Sequence, residues 1–324
     1  MDVFKTIILD MGYKIKKINQ NHSFIFFLFC NIFSLVIFKV NNFIISPLIC
    51  LLLILVIGVS HGSLDHVKGK KLFKILDIKR FSIFYLLYIA MAILVIIVWI
   101  LIPATSLLIF LIVASFHFGK EDTQFLINKD SYLNRLLYFF KGLLIIMAPM
   151  FFHFDETVAI FKFLLIDNEI FYSSLEFIET NKIILIGVIL STLSSIFLFL
   201  DKFEVKKFTI FLDYFSVLII NYYFSPLIAF TIYFCFLHSI RHSISLVCQI
   251  DNTNFKNGLK IFIKKALPLT ILTAIFCLIG LYLLNNSYDL DNSILKIIFI
   301  GLASLTFPHI LLEYLLEKNE KQRN

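Results

Sequence analysis

The sequence has few charged residues and no long polar stretch. Of its 324 residues only 16% are Asp, Glu, Lys or Arg, whereas 60% are hydrophobic. A soluble domain usually carries about a quarter charged residues and roughly half apolar ones. Nearly all the apolar residues lie in runs long enough to cross a bilayer, which takes about 20 residues as a helix. The composition therefore excludes a separate soluble domain and predicts an all-α, polytopic bundle of membrane helices.

Cysteines and cofactor motifs are also scarce. The five cysteines are odd in number, lie in or beside apolar runs and form no CxxC pair. We therefore expect neither a disulfide framework nor a thiolate metal site. The sequence contains no GxGxxG fingerprint of a flavin or nicotinamide enzyme. No small-residue cleavage site follows the first apolar run, so we expect no removable signal peptide.

The apolar runs predict about ten membrane helices. Their expected ranges are 23–39, 43–62, 81–101, 103–118, 132–152, 182–200, 207–223, 224–248, 266–285 and 293–316. Pro103 is expected to open the fourth helix, because proline suits a first helical turn. Short amphipathic pieces are expected in the acidic stretch 153–181. We expect one membrane domain, 23–316, between a basic N-terminal segment, 1–22, and a tail, 317–324.

The positive charge of the chain follows the predicted topology. Lysine and arginine concentrate before the first helix, in the tail, and after the second, fourth, sixth and eighth helices. Because basic loops stay on the cytoplasmic side, both termini are predicted to be cytoplasmic in a multi-pass protein of the cell (inner) membrane. The net charge of +7 therefore indicates membrane orientation and not nucleic-acid binding.

Five of the eight histidines share one predicted depth. They lie on the second, fourth, eighth and tenth helices, all running from outside to inside: His61, His117, His238, His242 and His309. Each lies roughly 14–18 residues after its helix begins, which at about 1.5 Å per residue places all of them in one layer. Ionisable residues within a membrane mark functional sites, and imidazole suits iron, zinc or copper. The pattern favours a shared metal site over separate interhelical hydrogen bonds.

The remaining polar candidates lie around this layer. A ligating histidine usually donates its second ring N–H to a carboxylate or carbonyl, and the sequence offers Asp65, Asp122 and Glu313 for that role. His66 is expected near the site and not in it, because it lies about 140° around the helix from His61. His22 and His153 lie at predicted helix ends and are expected to be solvated or interfacial.

Four segments hold most of these polar residues: HGSLDH at 61–66, SFHFG at 115–119, YFCFLHSIRHS at 233–243 and FIGLASLTFPHILLE at 299–313. Together they resemble the Brp/Blh family of membrane β-carotene 15,15′-dioxygenases. They occur in the family's order and spacing from the second predicted helix onward, although Ser60 stands where the family typically has proline. The resemblance implies an Fe(II) centre held by His61, His117, His238 and His242. The residues alone leave His309 open as a fifth ligand, and we place it near the site.

The resemblance also implies a reaction. β-Carotene and O₂ would give two molecules of all-trans-retinal, which a microbial rhodopsin can take up. Because the substrate partitions into the lipid bilayer, we expect an apolar tunnel that places its centre at the metal. The aromatic residues expected to line it are Phe116, Phe118, Tyr233, Phe234 and Phe236.

Three other functions compete with this interpretation. A b-type haem electron carrier also uses pairs of membrane histidines, and the sequence does not exclude it. A membrane desaturase or hydroxylase needs histidine-dense boxes, and only HSIRH at 238–242 fits that pattern. A transporter can use a histidine metal or proton site, but it would have no reason to make retinal.

Overall fold

The protein is a bundle of helices. The computed structural model describes residues 2–39, 45–127, 131–200 and 204–323, and every regular element in these ranges is helical. Nine continuous helical spans in these ranges are long and apolar enough to cross a membrane, and a shorter apolar helix lies between two of them. Two of the nine, Pro47–Ile75 and Pro226–Ile250, are made of several helical segments. Helices are the expected solution for such a chain, because backbone polar groups within lipid must be paired internally. The prediction of a polytopic helical bundle is confirmed.

The helices follow one another with short connections. In chain order they are α1 (Asp2–Lys39), α2 (Pro47–Leu53), α3 (Asp65–Ile75), α4 (Ser82–Leu101), α5 (Pro103–Glu121), α6 (Tyr132–Phe152), α7 (Phe154–Phe163), α8 (Glu169–Thr180), α9 (Ile183–Leu200), α10 (Thr209–Tyr223), α11 (Pro226–Ile232), α12 (Ile240–Ile250), α13 (Phe255–Leu284) and α14 (Leu290–Arg323). The short helices α7 and α8 occupy the acidic stretch where short pieces were expected.

Local sequence signals explain where several helices begin. Pro47, Pro103 and Pro226 stand in the first turns of α2, α5 and α11. Proline fits there because its fixed φ suits a helix and its missing N–H would have no partner. Ser131 caps α6 by accepting a hydrogen bond from the backbone N–H of Asn134 at 3.1 Å. The prediction that Pro103 opens a helix is confirmed.

Two spans leave the α-helical pattern near the predicted histidine layer. Between α2 and α3 the chain forms a π-helical segment, Ile54–Gly58, and a 3₁₀ segment, Val59–Leu64. Between α11 and α12 it forms a second π-helical segment, Tyr233–Ser239. These segments are adjacent, since a Cβ added to Gly58 would lie 2.5 Å from Cε1 of Phe234. Because π turns within α-helices concentrate at functional sites, this level of the bundle is where a site is expected.

Two glycines allow α5 and α6 to cross with their backbones in contact. A Cβ at Gly119 would lie 1.8 Å from the carbonyl oxygen of Tyr138, and one at Gly142 would lie 1.8 Å from that of Ser115. Small residues allow such close approach between membrane helices. Since α5 carries His117, this crossing fixes the depth of one candidate ligand.

Replacing Gly142 by alanine is expected to destabilise the bundle, because the added methyl group overlaps the backbone of α5. Overpacking a tight contact typically costs about 1–3 kcal/mol. The protein is heated in detergent, and size-exclusion chromatography measures the fraction that stays monodisperse. The temperature at which this fraction falls to one half is the midpoint that is compared. Gly301→Ala is the matched control, because a Cβ there meets no atom within 4 Å. Equal midpoints for the two variants would contradict the close crossing.

Several helices extend beyond the predicted apolar runs. The first begins at Asp2 instead of 23. The span that contains α3 continues through the basic stretch to Ile75, and α13 begins at Phe255 instead of 266. Hydropathy marks the lipid-embedded length, whereas helical hydrogen bonds continue beyond it. The predicted bounds were wrong at these ends for that reason.

Candidate metal centre

Histidines from separate elements lie together inside the bundle. They come from α5, the second π segment, α12 and α14, and none is more than 7% exposed: His117, His238, His242 and His309. The ring centroid of His117 lies 5.3 Å from that of His238 and 5.5 Å from that of His309. The centroids of His242 and His309 lie 5.7 Å apart. The structure therefore places His309 as close to its neighbours as the histidines that the family resemblance marks as ligands.

His61 belongs to the same predicted layer. Its backbone lies in the 3₁₀ segment Val59–Leu64, but its side chain lies outside the described part of the structure. The next residue, Gly62, lines the same cavity as His117 and His238. The backbone at this position therefore passes beside the histidine cluster.

A buried carboxylate orients His309. Nδ1 of His309 lies 2.9 Å from both carboxylate oxygens of Asp65, and the hydroxyl of Tyr88 donates to Oδ2 of Asp65 at 2.8 Å. Because an ionised carboxylate only accepts, Nδ1 of His309 carries the hydrogen. Its Nε2 lies 3.6 Å from Oε1 of Glu313. The ring is thus held with Nε2 directed into the cluster, as in the second-shell arrangement of metal-binding histidines.

A second carboxylate lies beside His238. Nδ1 of His238 is 3.4 Å from Oδ1 of Asp122, and the hydroxyl of Tyr233 donates to Oδ2 at 2.7 Å. Burial alone would raise the pKa of Asp122, but the hydrogen bond with His238 and the charge of Arg241 outweigh burial and hold that pKa below its ordinary value. Asp122 is therefore an anion that fixes the orientation of His238.

His242 has a partner that sequence reasoning missed. Its Nδ1 lies 3.0 Å from Oε2 of Glu121, whose side chain is 10% exposed. Glu121 follows His117 by one helical turn, and that spacing was the available signal, because residues four apart share a helix face. Neighbouring carboxylates, Glu121 and Asp122, therefore serve the two histidines of the HSIRH segment.

Glu313 faces the interior of the histidine cluster. Its Oε2 lies 4.0 Å from Nδ1 of His117, and its Oε1 lies 3.8 Å from Nε2 of His242. Lys68 forms an ion pair with Glu313, and its Nζ lies 3.2 Å from Nε2 of His242. Ligand atoms of His242, His309 and Glu313 all lie within 4.8 Å of one another. Buried imidazole nitrogens with a carboxylate oxygen form a donor set that fits a divalent metal such as iron(II).

Arg241 connects several helices behind the cluster. It is 2% exposed, and its Nη1 and Nη2 donate to the two carboxylate oxygens of Asp213 at 2.9 and 3.1 Å. Nη1 also donates to the carbonyl oxygen of Asp122 at 3.0 Å, and Nη2 donates to Oγ of Ser23 at 2.7 Å. A buried charge is tolerated when it is paired and hydrogen-bonded in this way. The arginine ties α1, α10 and the end of α5 to the helix that carries His242.

The other histidines occupy different settings. His66 hydrogen-bonds through Nδ1 to the carbonyl oxygen of Ser63 at 2.9 Å and lines the same cavity as His117 and His238. His153 lies at the end of α6, 3.6 Å from the carboxylate of Glu156. The structure differs from expectation at His22. That ring is partly buried, and its Nε2 lies 2.8 Å from the carbonyl oxygen of Phe236 in the π segment Tyr233–Ser239.

An apolar cavity of about 630 Å³ leads away from the histidines. His117, His238 and His309 line it, together with residues of α4, α13 and α14. On its walls, Ile93 of α4 is 52% exposed and Phe276 of α13 is 64% exposed. These exposed residues show that the cavity opens on the apolar outer surface of the bundle. The cavity therefore connects the buried histidines with that outer surface.

The expected tunnel residues divide into two groups. Phe118 and Phe234 line this cavity, whereas Phe116, Tyr233 and Phe236 lie outside its lining. The cavity walls come mainly from α4 and α13. The residues of these helices that line the cavity are mostly apolar, as lipid-facing residues are, so hydropathy does not separate a cavity wall from a lipid-facing helix.

Comparison with known proteins gives two matches. A family model described as beta-carotene 15,15'-dioxygenase matches residues 52–317. Among curated proteins, the chain is similar to the Beta-carotene 15,15'-dioxygenase of uncultured marine bacterium 66A03. The two are 27% identical over 273 residues, which cover 81% of this chain and 90% of that protein. No solved structure matches the chain. The matched region contains His61 and the four histidines of the described cluster.

Proposed function

The chain belongs to the beta-carotene 15,15'-dioxygenase family, and from this membership we propose the reaction and the site that performs it. The chain is an enzyme of carotene cleavage. It splits β-carotene at the central 15,15′ double bond with O₂ and releases two molecules of all-trans-retinal. The reaction takes place at an iron(II) centre within the membrane, and the retinal is available to a microbial rhodopsin.

One observation supports this proposal above the others. The buried histidines lie at the inner end of an apolar cavity that opens on the outer surface of the bundle. A hydrocarbon polyene dissolves in lipid, so its route to the enzyme runs through the bilayer. The cavity is lined mainly by aliphatic and aromatic side chains, which match the apolar surface of such a molecule. The metal donors and the substrate channel therefore meet at the same place.

The protein side chains have separate roles in this proposal. His61, His117, His238 and His242 hold the metal, with His309 and Glu313 beside them. Asp65, Glu121 and Asp122 accept hydrogen bonds from ring nitrogens of three histidines and keep the other ring nitrogens directed into the site. When bound, iron(II) supplies the centre at which O₂ is activated.

Two aromatic residues place the polyene. The ring centroid of His238 lies 4.8 Å from that of Phe118 and 5.8 Å from that of Phe234. Both phenylalanines also line the cavity. A polyene bound there lies against their rings next to the histidines, and the surrounding apolar walls exclude water from the reacting double bond.

Expression in a bacterial strain that makes β-carotene tests the proposal. Colonies are expected to lose their orange colour and accumulate retinal, measured by chromatography with mass detection. Central cleavage gives retinal as the single carbonyl product. A pair of unequal apocarotenoid fragments would contradict cleavage at the 15,15′ bond.

The competing functions predict other results. Persistent carotene in cells that contain folded, iron-loaded protein would overturn the enzymatic assignment. A Soret band in the purified protein would favour a b-type haem electron carrier. A dioxygenase is expected to place one ¹⁸O atom from ¹⁸O₂ in each retinal molecule. The retinal is reduced to the alcohol as it forms, so that its aldehyde oxygen does not exchange with water.

A further inference from the structure

The first helix lies outside the region that matches the family model. The match to that family begins at residue 52 of this chain, whereas α1 covers Asp2–Lys39. Nevertheless, two consecutive residues of α1 hydrogen-bond to the span that carries the histidine pair. His22 bonds to the backbone of Phe236, two residues before His238, and Ser23 bonds to Arg241, one residue before His242.

The first contact fixes the backbone of the π segment. Nε2 of His22 lies 2.8 Å from the carbonyl oxygen of Phe236. A carbonyl oxygen only accepts, so the neutral ring has its hydrogen on Nε2. Phe236 lies two residues before His238 within Tyr233–Ser239. The backbone hydrogen bonds of a π turn depart from the regular α-helical pattern. A hydrogen bond from another helix to one of its carbonyl oxygens therefore adds a constraint where the α-helical bonds are interrupted.

The second contact fixes Arg241. Oγ of Ser23 accepts from Nη2 of Arg241 at 2.7 Å and donates to the carbonyl oxygen of Asn19 at 3.2 Å. Ser23 and Asn19 are both fully buried. Ser23 therefore supplies an acceptor to the guanidinium in addition to Asp213. The contacts of His22 and Ser23 hold the chain on both sides of His238.

Packing supports the same arrangement. The rings of Phe29 in α1 and Phe236 in the π segment lie 5.9 Å apart, and those of Phe33 and Phe224 lie 5.2 Å apart and stacked. These aromatic contacts hold α1 against the π segment and against Phe224, which lies two residues before the interrupted span begins. The two polar contacts thus lie at the end of a continuous apolar interface.

We propose that α1 completes the metal site of this enzyme, with His22 and Ser23 as positioning residues. His22 sets the π segment so that His238 points into the cluster, and Ser23 sets Arg241 between the two histidines. The inference rests on the proposed function, since it concerns the same metal centre. It assigns a role in that centre to a helix that precedes the family match.

The test compares His22→Phe, which removes the donor but keeps an aromatic ring, with His22→Gln, whose amide can donate from a similar distance. Asn31→Ala is the control on α1, because the Asn31 amide bonds to the carbonyl of Phe27 within its own helix. Iron affinity is measured by competition with a chelator, and the ligand-field spectrum is recorded with Co(II). His22→Phe is expected to weaken iron binding about tenfold, as loss of an outer-shell partner does, and to alter the Co(II) spectrum.

The same variants separate positioning from simple stabilisation. His22→Phe is expected to lower kcat while KM for carotene stays unchanged, and His22→Gln is expected to restore both affinity and spectrum. A lower melting temperature with wild-type affinity, spectrum and kcat in His22→Phe would overturn the inference. The inference would also be overturned if His22→Gln restored neither the iron affinity nor the Co(II) spectrum.

Hydrogen exchange distinguishes failure of this inference from failure of the proposed function. His22→Phe is expected to speed exchange of backbone amides in Tyr233–Ser239, whether or not the wild-type protein cleaves carotene. If the wild-type protein binds no metal and cleaves nothing, the proposed function is wrong, and the positioning role of His22 is still decided by exchange. Unchanged exchange in this segment would exclude the role.

Discussion

Replacing His238 by alanine is expected to abolish both iron binding and carotene cleavage. The His238 side chain is 1% exposed, contacts His117 and is oriented by Asp122. Loss of an outer-shell partner alone costs a metal site about 10–100-fold in affinity, and loss of a ligand is expected to cost more. Cleavage should therefore fall below detection, because a catalytic metal needs its full protein ligand set to keep geometry and an open position.

Metal analysis and thermal unfolding measure this effect without relying on activity. Wild-type protein at an iron concentration of about 100 times Kd is expected to gain about 2.7 kcal/mol of stability from binding, and His238→Ala should gain almost none. His153→Ala is the matched control, since that histidine lies at the end of α6 beside Glu156. It should keep wild-type iron content and activity.

The same experiment decides how His309 participates. His309→Ala removes a ring that lies 5.5 Å from His117 and 5.7 Å from His242. If His309 only adjoins the metal, iron content should survive at reduced affinity, whereas loss of iron equal to that of His238→Ala would make it a ligand. Full iron content and activity in His238→Ala would remove His238 from the proposed ligand set.

The membrane helices were predictable because lipid leaves a chain few alternatives. An apolar run of sufficient length must be a helix, since its backbone groups have no water to bond. Helices also form at α6 and α10, although Lys141 and Asp213 interrupt their apolar runs, but α10 is shorter than the nine candidate spans. Hydropathy does not report where helical hydrogen bonding stops, and therefore α1 and α13 begin well before the predicted residues.

The composition of the histidine cluster was partly predictable for a related reason. Counting residues along a straight helix gives depth, and depth brought His117, His238, His242 and His309 into one layer. Depth does not give rotation about the helix axis or the packing of neighbouring helices. The contacts of Glu121, Lys68 and His22 depend on both, and the π segment that reorients His238 has no distinctive apolar spacing. These features required the structure.

Narrowing the cavity is expected to block the substrate while leaving the metal site intact. Ala92 of α4 lies on the cavity wall, and Ala92→Trp would place an indole across the space between α4 and α13. We expect kcat/KM for β-carotene to fall at least about tenfold, equivalent to about 1.4 kcal/mol of transition-state binding. Iron content should stay at the wild-type level, because Ala92 is on the wall and not among the histidines.

Ala90→Trp is the matched control for this variant. Ala90 lies two residues earlier on α4, is exposed, and is outside the cavity lining. Residues two apart on a helix point in nearly opposite directions, so the same indole should face lipid there without effect. Assays in detergent micelles with β-carotene and with a polyene shortened at one end separate the causes. A steric block should spare the shorter substrate, whereas equal losses for both substrates, or equal losses in both tryptophan variants, would show that the polyene does not pass between α4 and α13.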